Sequence, residues 1–241
     1  PIVFERATID EFAELNQSLD KLITGNIAAY TQQKEFAENA SHELQTPLAI
    51  VQSKLELLMQ SRQLTTEQYN IIEDALKALS RVSRVNKNLL LLTKIENSQY
   101  MEKDVIDVPE LLANLIPQFE TIAAGKQIKL ITRLQPVVTI TGNRALVDIL
   151  LNNLITNAIR HSAAGSEVIL ELTHNSFIIS NPGSRSLQTE QLFKRFAAAS
   201  IQQPGTGLGL AIVKQICNRY NWIIQYAFNN GQHVFSLIFH L

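Results

Sequence analysis

His42 stands in a segment whose residue types could support nucleophilic chemistry. The apolar residues around it recur every three or four positions, as on one face of a helix, and His42 falls outside that stripe. Glu43 can accept the imidazole Nδ1 proton, which leaves Nε2 as a nucleophile. Thr46 lies on the same helix face, and Pro47 removes a helix hydrogen bond beside the pair. The alternative is an ordinary surface histidine.

A second group forms a polar stripe in an otherwise apolar segment. Asn153, Asn157, Arg160 and His161 fall at i, i+4, i+7 and i+8 of a predicted helix. Amide oxygens suit a Mg²⁺ ion that keeps most of its water and phosphate ligands, and arginine forms charge-assisted bonds to phosphate. The structural alternative is a set of amide-to-backbone bonds that fix the helix on a sheet.

The third group is a glycine pattern at the start of a helix. Gly205, Gly207 and Gly209 alternate with Thr206 and Leu208, so backbone N–H groups could approach an anion at the helix N-terminus. The pattern lacks the parallel βαβ unit of the dinucleotide fingerprint and the Lys-Ser/Thr pair of a P-loop. A flexible loop before a helix is the alternative.

Two long helices must carry the His42 segment. The first is predicted over 10–62, and the second begins at Thr65, which forms a capping-box pattern with Gln68, and runs back antiparallel to about 95. Their apolar stripes are too long for one hairpin to bury. A partner chain that completes a four-helix bundle is therefore expected.

The rest of the chain alternates between helical and strand-like patterns and predicts a second, α+β domain. An extended linker over 105–109 leads into a helix that starts at Pro109. An irregular stretch is expected before Gly205. The other predicted elements are strands at 127–134, 137–141, 167–173, 177–180, 222–228 and 233–240, and helices to about 123, at 144–159 and at 208–219. The sequence Asn229-Asn230-Gly231 predicts a hairpin turn between the last two strands.

Composition excludes several classes of protein. With 241 residues and 46% hydrophobic residues, the chain can bury real cores. Its 21 Lys and Arg against 22 Asp and Glu give no basic surface for nucleic acid. The single cysteine, Cys217, excludes an intrachain disulfide framework and a thiolate zinc site. No apolar run reaches membrane-spanning length, and the start at Pro1 suggests a piece of a longer protein.

Four segments together resemble the sensor histidine kinases of bacterial two-component systems. The His42 segment is similar to the family's H-box, and 153–161 to its N-box. The sequence Phe193-Lys194-Arg195-Phe196 is similar to the F-box, and 205–209 to the second glycine box. Because all four occur in the family's order, the resemblance covers the chain from about 31 to 241.

The resemblance implies an α+β multidomain fold. A membrane-proximal signalling helix is expected over 1–30, and a dimerisation and histidine-phosphotransfer hairpin over 31–98. The hairpin would form a dimeric four-helix bundle. An ATP-binding α/β sandwich of the gyrase, chaperone and histidine kinase superfamily would follow over 104–241.

The resemblance also implies an activity: ATP-dependent phosphorylation of His42, with transfer to an aspartate in the receiver domain of a response regulator. Glu43 would be the base, and Thr46 would assist removal of phosphate from the regulator. ATP and Mg²⁺ are the expected ligands, with Asn157 holding the metal. The expected nucleotide-binding residues are Asn153, Asn157, Arg160, His161, Asn181, Gly183, Gly205, Gly207, Leu208 and Gly209.

The chain departs from the family pattern near the expected base-binding site. Asn181 stands where the family has an aspartate that binds the adenine amino group, and Arg185 replaces a glycine. An asparagine oxygen can still accept from that amino group. Gln45 stands where an arginine is frequent, and 184–204 would be the ATP lid.

Two rival functions use the same residues. A non-enzymatic dimeric scaffold that binds a regulator is supported only by the altered Asn181 segment. An ATPase that activates water lacks a carboxylate in the Asn153 segment and gives no role to His42 and Pro47. The family architecture further predicts a homodimer that is the cytoplasmic portion of an inner-membrane protein, anchored through segments absent from this chain, with no nucleic-acid partner.

Overall fold

The chain divides into two compact units, Pro1–Leu76 and Lys77–Leu241, in a computed structural model. The structure describes residues 10–61, 64–96, 100, 104–197 and 205–239. At positions 10, 11, 13, 33, 34, 36–38, 41 and 42 it describes the backbone alone. The unit boundary falls inside a helix, and the domain limits expected from the sequence remain predictions.

The first unit contains helix α1 (Asp10–Met59) and the start of helix α2 (Thr66–Glu96). Helix α1 continues through Gly25 and Pro47 and ends three residues before the predicted limit at 62. The predicted capping box is confirmed at the start of α2. The Gln68 N–H donates to Thr65 Oγ1 at 3.2 Å, and Thr65 N–H donates to Gln68 Oε1 at 3.0 Å.

The second unit contains the rest of α2 and a mixed α/β domain. This order confirms the predicted fold class of a helical region followed by an α/β domain. The elements after α2 are β1 (Asp104–Asp107), α3 (Val108–Gly125), β2 (Lys129–Leu134), β3 (Thr139–Gly142), α4 (Arg144–His161), β4 (Glu167–Leu172), β5 (Ser176–Pro182), α5 (Thr189–Leu192), α6 (Gly209–Tyr220), β6 (Ile223–Asn229) and β7 (Gln232–Ile238).

The extended backbone predicted over 105–109 is confirmed only as far as Asp107, and it is a paired strand and not a free linker. Residues 104–107 form strand β1, which pairs antiparallel with β3, and Val108 already begins α3. Asp107 caps that helix by accepting the Glu110 N–H at 3.0 Å. The partner strand lies more than thirty residues away in sequence, so the local pattern could not reveal the pairing. Helix α5, within the stretch predicted as irregular, was also not foreseen.

Five strands form the main sheet in the order β2-β4-β5-β7-β6. The pair β2 and β4 is parallel, and the other neighbours are antiparallel. The predicted turn between β6 and β7 is confirmed: Asn230 and Gly231 both have positive φ, 51° and 71°, as a tight two-residue hairpin requires.

The core of the second unit lies between the main sheet and helices α3, α4 and α6. Helix α4 packs against α3, α6 and strand β5. It buries eight residues, namely Leu146, Val147, Leu150, Leu151, Leu154, Ile155, Ala158 and Ile159. Alternate residues of β5 are buried, so Phe177, Ile179 and Asn181 share the inner face of the sheet. This packing fixes α4 and β5 as the walls of the site described next.

Candidate functional site

A cavity of about 610 Å³ in the second unit gathers residues that are far apart in sequence. Its walls come from α2, α4, the end of β5, residues 205–209, called the glycine segment below, and β7. The size lies within the usual range for small-molecule sites. Nine of the residues predicted to bind nucleotide line it: Asn153, Asn157, Arg160, His161, Asn181, Gly183, Gly205, Gly207 and Gly209.

The polar stripe of α4 faces the cavity because the other faces of the helix are buried in the core. Asn153 donates from Nδ2 to the Ile149 carbonyl at 2.7 Å, a bond within α4 that does not fix the helix on the sheet. Its Oδ1 lies 2.8 Å from where a side chain on Gly209 would begin, so only glycine allows this approach. The Asn157 amide has no hydrogen-bond partner among the described residues, and it is only partly exposed.

Positive charge collects at one end of the cavity. Arg160 on α4 and Arg84 on α2 both line it. Burial, together with the nearby Arg84, lowers the pKa of Arg160. Burial also lowers the pKa of His161, with further contributions from Arg160, His233 and Lys126. An anion such as phosphate would be stabilised here, because it would pair with the partly buried Arg160 and relieve the repulsion between Arg160 and Arg84.

The glycine segment is held against the F-box segment by a close backbone contact. Gly207 has φ of 68°, and a side chain there would begin 2.9 Å from the Cα of Phe196. The Phe196 N–H donates to the Gly207 carbonyl at 2.9 Å. Helix α6 begins at Gly209. Leu208, predicted as a nucleotide-binding residue, instead places its side chain in the core and does not line the cavity.

The other end of the cavity is formed by strands β5 and β7. Asn181 is buried and donates from Nδ2 to the Pro182 carbonyl at 3.1 Å. Gly183 lies against the imidazole of His233, with the position of a missing Cβ only 2.0 Å from Nε2. The Nδ1 atom of His233 is 2.9 Å from the Tyr226 hydroxyl. This end is therefore polar, and Arg185, two residues after Gly183, also lines the cavity.

Sequence reasoning missed several residues of the cavity. Arg84 and Asn88 reach it from α2, and Asn88 Nδ2 lies 3.3 Å from Thr206 Oγ1. Glu96, near the end of α2, forms an ion pair with Arg195 of the F-box segment. The spacing of Arg84 and Asn88 at i and i+4 puts both on one face of the helix, but the sequence does not show what that face contacts.

The proposed phosphoacceptor segment lies in the first unit. The backbone is helical throughout 41–47, and the side chains of Glu43 and Thr46 are exposed. The side chain of His42 lies outside the described residues, as do residues 198–204 of the predicted lid. The roles assigned to His42, Glu43 and Thr46 therefore remain predictions.

The donor chemistry of the cavity fits a magnesium nucleotide better than a metal held by protein alone. Within the described part of the chain, no cluster of three or more His, Cys, Asp or Glu side chains could hold a metal. Mg²⁺ binds through few protein oxygens and keeps water and phosphate ligands. The amide oxygens of Asn153 and Asn157 suit that role.

None of the described helices has the length and hydropathy to cross a bilayer.

Two family models match separate parts of the chain. The His Kinase A (phospho-acceptor) domain matches residues 32–98. The histidine kinase-, DNA gyrase B- and HSP90-like ATPase family matches residues 142–241, which contain all of α4, the glycine segment and β7. The second match implies that this domain binds ATP.

Relatives and solved structures agree with these matches. The heme sensor protein HssS of Staphylococcus aureus (strain JH9) is 32% identical over 228 residues, which cover 92% of this chain and 50% of HssS. The chain thus spans about half the length of the curated relatives it matches. The Acinetobacter baumannii histidine kinase AdeS is 25% identical with a TM-score of 0.56, covering 81% of this chain and 95% of that structure. The ShkA structure, at 21% identity, shares the fold with a TM-score of 0.66 over 86% of this chain and 46% of ShkA.

Proposed function

The chain belongs to the sensor histidine kinases, and from this membership we propose that it phosphorylates His42 with ATP and passes the phosphoryl group to a response regulator. The observation that carries the proposal is the cavity of the second unit. It joins the amides of α4, the cations Arg84 and Arg160, and the glycine segment. These groups are chemically suited to a nucleotide triphosphate.

The two ends of the cavity indicate how ATP would lie. The triphosphate fits the end with Arg84, Arg160 and the glycine segment, because guanidinium groups and backbone N–H groups stabilise phosphate oxygens. The base fits the end with Asn181, Gly183 and His233, because the Asn181 amide and the His233 imidazole can hydrogen-bond to a base edge. Magnesium would be held by the oxygen of Asn157, with that of Asn153 nearby, and would neutralise phosphate charge.

The reaction follows from the chemistry of the His42 segment. The Nε2 lone pair of His42 attacks the γ-phosphorus of ATP in line, so that a P–N bond forms as the P–O bond to ADP breaks. Glu43 holds the Nδ1 proton and stabilises the imidazolium character that develops. Positioning and charge neutralisation dominate such transfers, so the residues of the cavity supply most of the rate.

The same segment would govern the later steps. An aspartate of a separate receiver domain takes the phosphoryl group from the phosphohistidine and regenerates neutral His42. Thr46, exposed one helical turn from His42, would orient a water that removes phosphate from the regulator. We further propose that the chain is the cytoplasmic part of a membrane-anchored sensor, since the family architecture places such an anchor upstream.

A homodimer is part of the proposal because α1 leaves large apolar side chains uncovered. Leu44, Ile50, Val51, Leu57 and Leu58 are all exposed. Contiguous apolar surface of this length on a helix needs a partner in water. A second copy, forming a four-helix bundle through α1 and α2, would cover it.

Substitution of Asn157 tests the nucleotide site. Asn157→Ala removes a magnesium ligand, so phosphorylation by Mg-ATP should fall by at least a hundredfold while circular dichroism stays unchanged. Asn218→Ala is the matched control, because it makes the same substitution at an exposed position of α6. Full activity of Asn157→Ala would contradict the magnesium assignment.

Substitution of Asn181 tests the base end. Asn181→Asp restores the carboxylate usual in the family, and ATP affinity should stay equal or rise. Calorimetric titration with the non-hydrolysable analogue of ATP measures it. A loss of affinity above tenfold would mean that Asn181 does not receive the adenine amino group.

A further inference from the structure

The base end of the cavity holds a histidine to which the proposed reaction gives no role. His233 lies on β7, and the antiparallel register pairs it with Asn181 on β5. Paired residues project to the same face of a sheet, here the inner face that also carries Phe235 and Leu237. Both His233 and Asn181 line the cavity.

The ring of His233 is hydrogen-bonded to Tyr226 through Nδ1. The Tyr226 hydroxyl accepts the Leu187 N–H at 3.0 Å, and it lies 2.9 Å from His233 Nδ1. The hydroxyl can donate its own proton to Nδ1, and in that tautomer the ring hydrogen of His233 is on Nε2. Burial lowers the pKa of His233, in keeping with a neutral ring. In the tautomer with Nδ1 as acceptor, Nε2–H is a hydrogen-bond donor at the wall of the cavity.

The orientation of the Asn181 amide is set in a similar way. The Pro182 carbonyl can only accept, so the Asn181 atom 3.1 Å from it is the nitrogen. Its Oδ1 finds no donor among the described residues. Among the described residues, every fully enclosed side-chain oxygen has a hydrogen-bond partner. Because Asn181 Oδ1 has no partner, it is not fully enclosed, and it is open to the cavity that Asn181 lines. The two neighbouring residues thus offer one acceptor and one donor side by side.

We propose that His233 is a nucleobase-contacting residue that donates from Nε2 to N1 of adenine, while Asn181 Oδ1 accepts from the N6 amino group. The inference rests on the proposed ATP site. It adds His233 as the residue that hydrogen-bonds to N1 of the base. On this edge, adenine presents the N6 amino group, a donor, and N1, an acceptor. These groups match the acceptor of Asn181 and the donor of His233. Guanine presents O6, an acceptor, and N1–H, a donor, and so mismatches both residues.

Gly183 makes this arrangement possible. Its missing Cβ would lie 2.0 Å from Nε2 and 2.4 Å from Cδ2 of His233, so any side chain would displace the ring. The glycine is therefore required by the imidazole of this chain, independently of any ligand. A displaced ring would remove the donor from the base end.

Nucleotide analogues with single-atom changes test the contact on the full 241-residue chain. In 1-deaza-ATP a C–H replaces N1 and removes the acceptor, whereas 7-deaza-ATP changes the opposite edge of the base. The wild-type chain should bind 1-deaza-ATP about tenfold more weakly than ATP, the size of one hydrogen bond. It should bind 7-deaza-ATP as tightly as ATP.

Two variants assign the effect to His233. In His233→Phe the ratio between ATP and 1-deaza-ATP should fall to about one, because the ring keeps its shape but has no donor. In His233→Gln the side-chain amide still donates, so a several-fold ratio should remain. If His233→Phe does not fold, the wild-type ratio and His233→Gln decide.

The outcomes separate this inference from the proposed function. Tight binding of ATP with equal binding of 1-deaza-ATP by the wild-type chain overturns the role of His233 and leaves the ATP site intact. An unchanged tenfold ratio in His233→Phe overturns it as well. Failure of the wild-type chain to bind ATP or either analogue overturns the proposed function itself.

Discussion

Helices α1 and α4 differ in where they place their apolar side chains. The 18 residues of α4 bury eight apolar side chains inside their own unit. Helix α1 has 50 residues, and none of its described side chains belongs to the buried core. The contrast indicates that the second unit is stabilised by its own core, whereas the apolar face of α1 would be covered by the second copy proposed above. Each prediction below would sharpen or break this contrast.

The largest effect is expected from a charge in the proposed dimer interface. Leu55→Glu places an unpaired carboxylate in the apolar stripe of α1, and such a charge costs about 3–5 kcal/mol when buried. Sedimentation at micromolar concentration should show monomer for this variant and dimer for the wild type. Ser53→Glu, two residues away on the opposite, exposed face, should remain a dimer. If the Leu55→Glu variant were still a dimer, the apolar stripe of α1 would not be the dimer interface.

A core truncation should distinguish the two units by stability. Leu150→Ala deletes a side chain of α4 that is fully buried, and it should lower the free energy of unfolding by about 2–5 kcal/mol in urea titrations. The same substitution at Leu57, which is 61% exposed, should leave unfolding of the ATP-binding unit unchanged. Equal losses would mean that α1 and the ATP-binding unit unfold as one body.

The capping box of α2 should have a smaller, local effect. Thr65→Ala removes the acceptor for the Gln68 N–H and should destabilise the start of the helix by about 0.5–2 kcal/mol. Hydrogen exchange of the first-turn amides should speed up accordingly. Thr66→Ala, at the next position, has no such bond to lose and serves as the control.

The smallest effect concerns pH. Burial lowers the pKa of both His161 and His233 in the folded chain. The unfolded chain therefore takes up protons first as pH falls, so the free energy of unfolding should drop below about pH 6.5 and be fully present above it. Urea titrations at two pH values measure this. Changing both residues to Gln should flatten the drop, and His174→Gln, an exposed residue, should not.

The sequence predicted best what depends on local patterns. The capping box, the Asn230-Gly231 turn and the polar stripe of α4 all follow from periodicity or turn chemistry within a few residues. It failed for β1, whose partner is distant in sequence. The side chain of Leu208 is buried in the core, which a glycine pattern does not reveal, and a nucleotide contact through the Leu208 backbone remains a prediction.

Cavity residues contributed by tertiary packing were beyond these patterns. His233 enters the site only because β7 pairs with β5, and Arg84 only because α2 lies beside the glycine segment within its unit. Neither neighbour is visible in the local sequence. Pairing between distant segments is what a single sequence reveals least.

The measurement that tests the central claim most directly is phosphorylation with ATP labelled in the γ-phosphate. The wild-type chain should acquire an acid-labile label, typical of phosphohistidine, and His42→Gln should acquire none while still binding ATP. Glu43→Gln should label about 10²- to 10⁴-fold more slowly, the usual contribution of a general base, and Thr46→Ala should label normally. A labelled His42→Gln chain, or an acid-stable label on the wild type, would contradict the assignment of His42 as the phosphoacceptor.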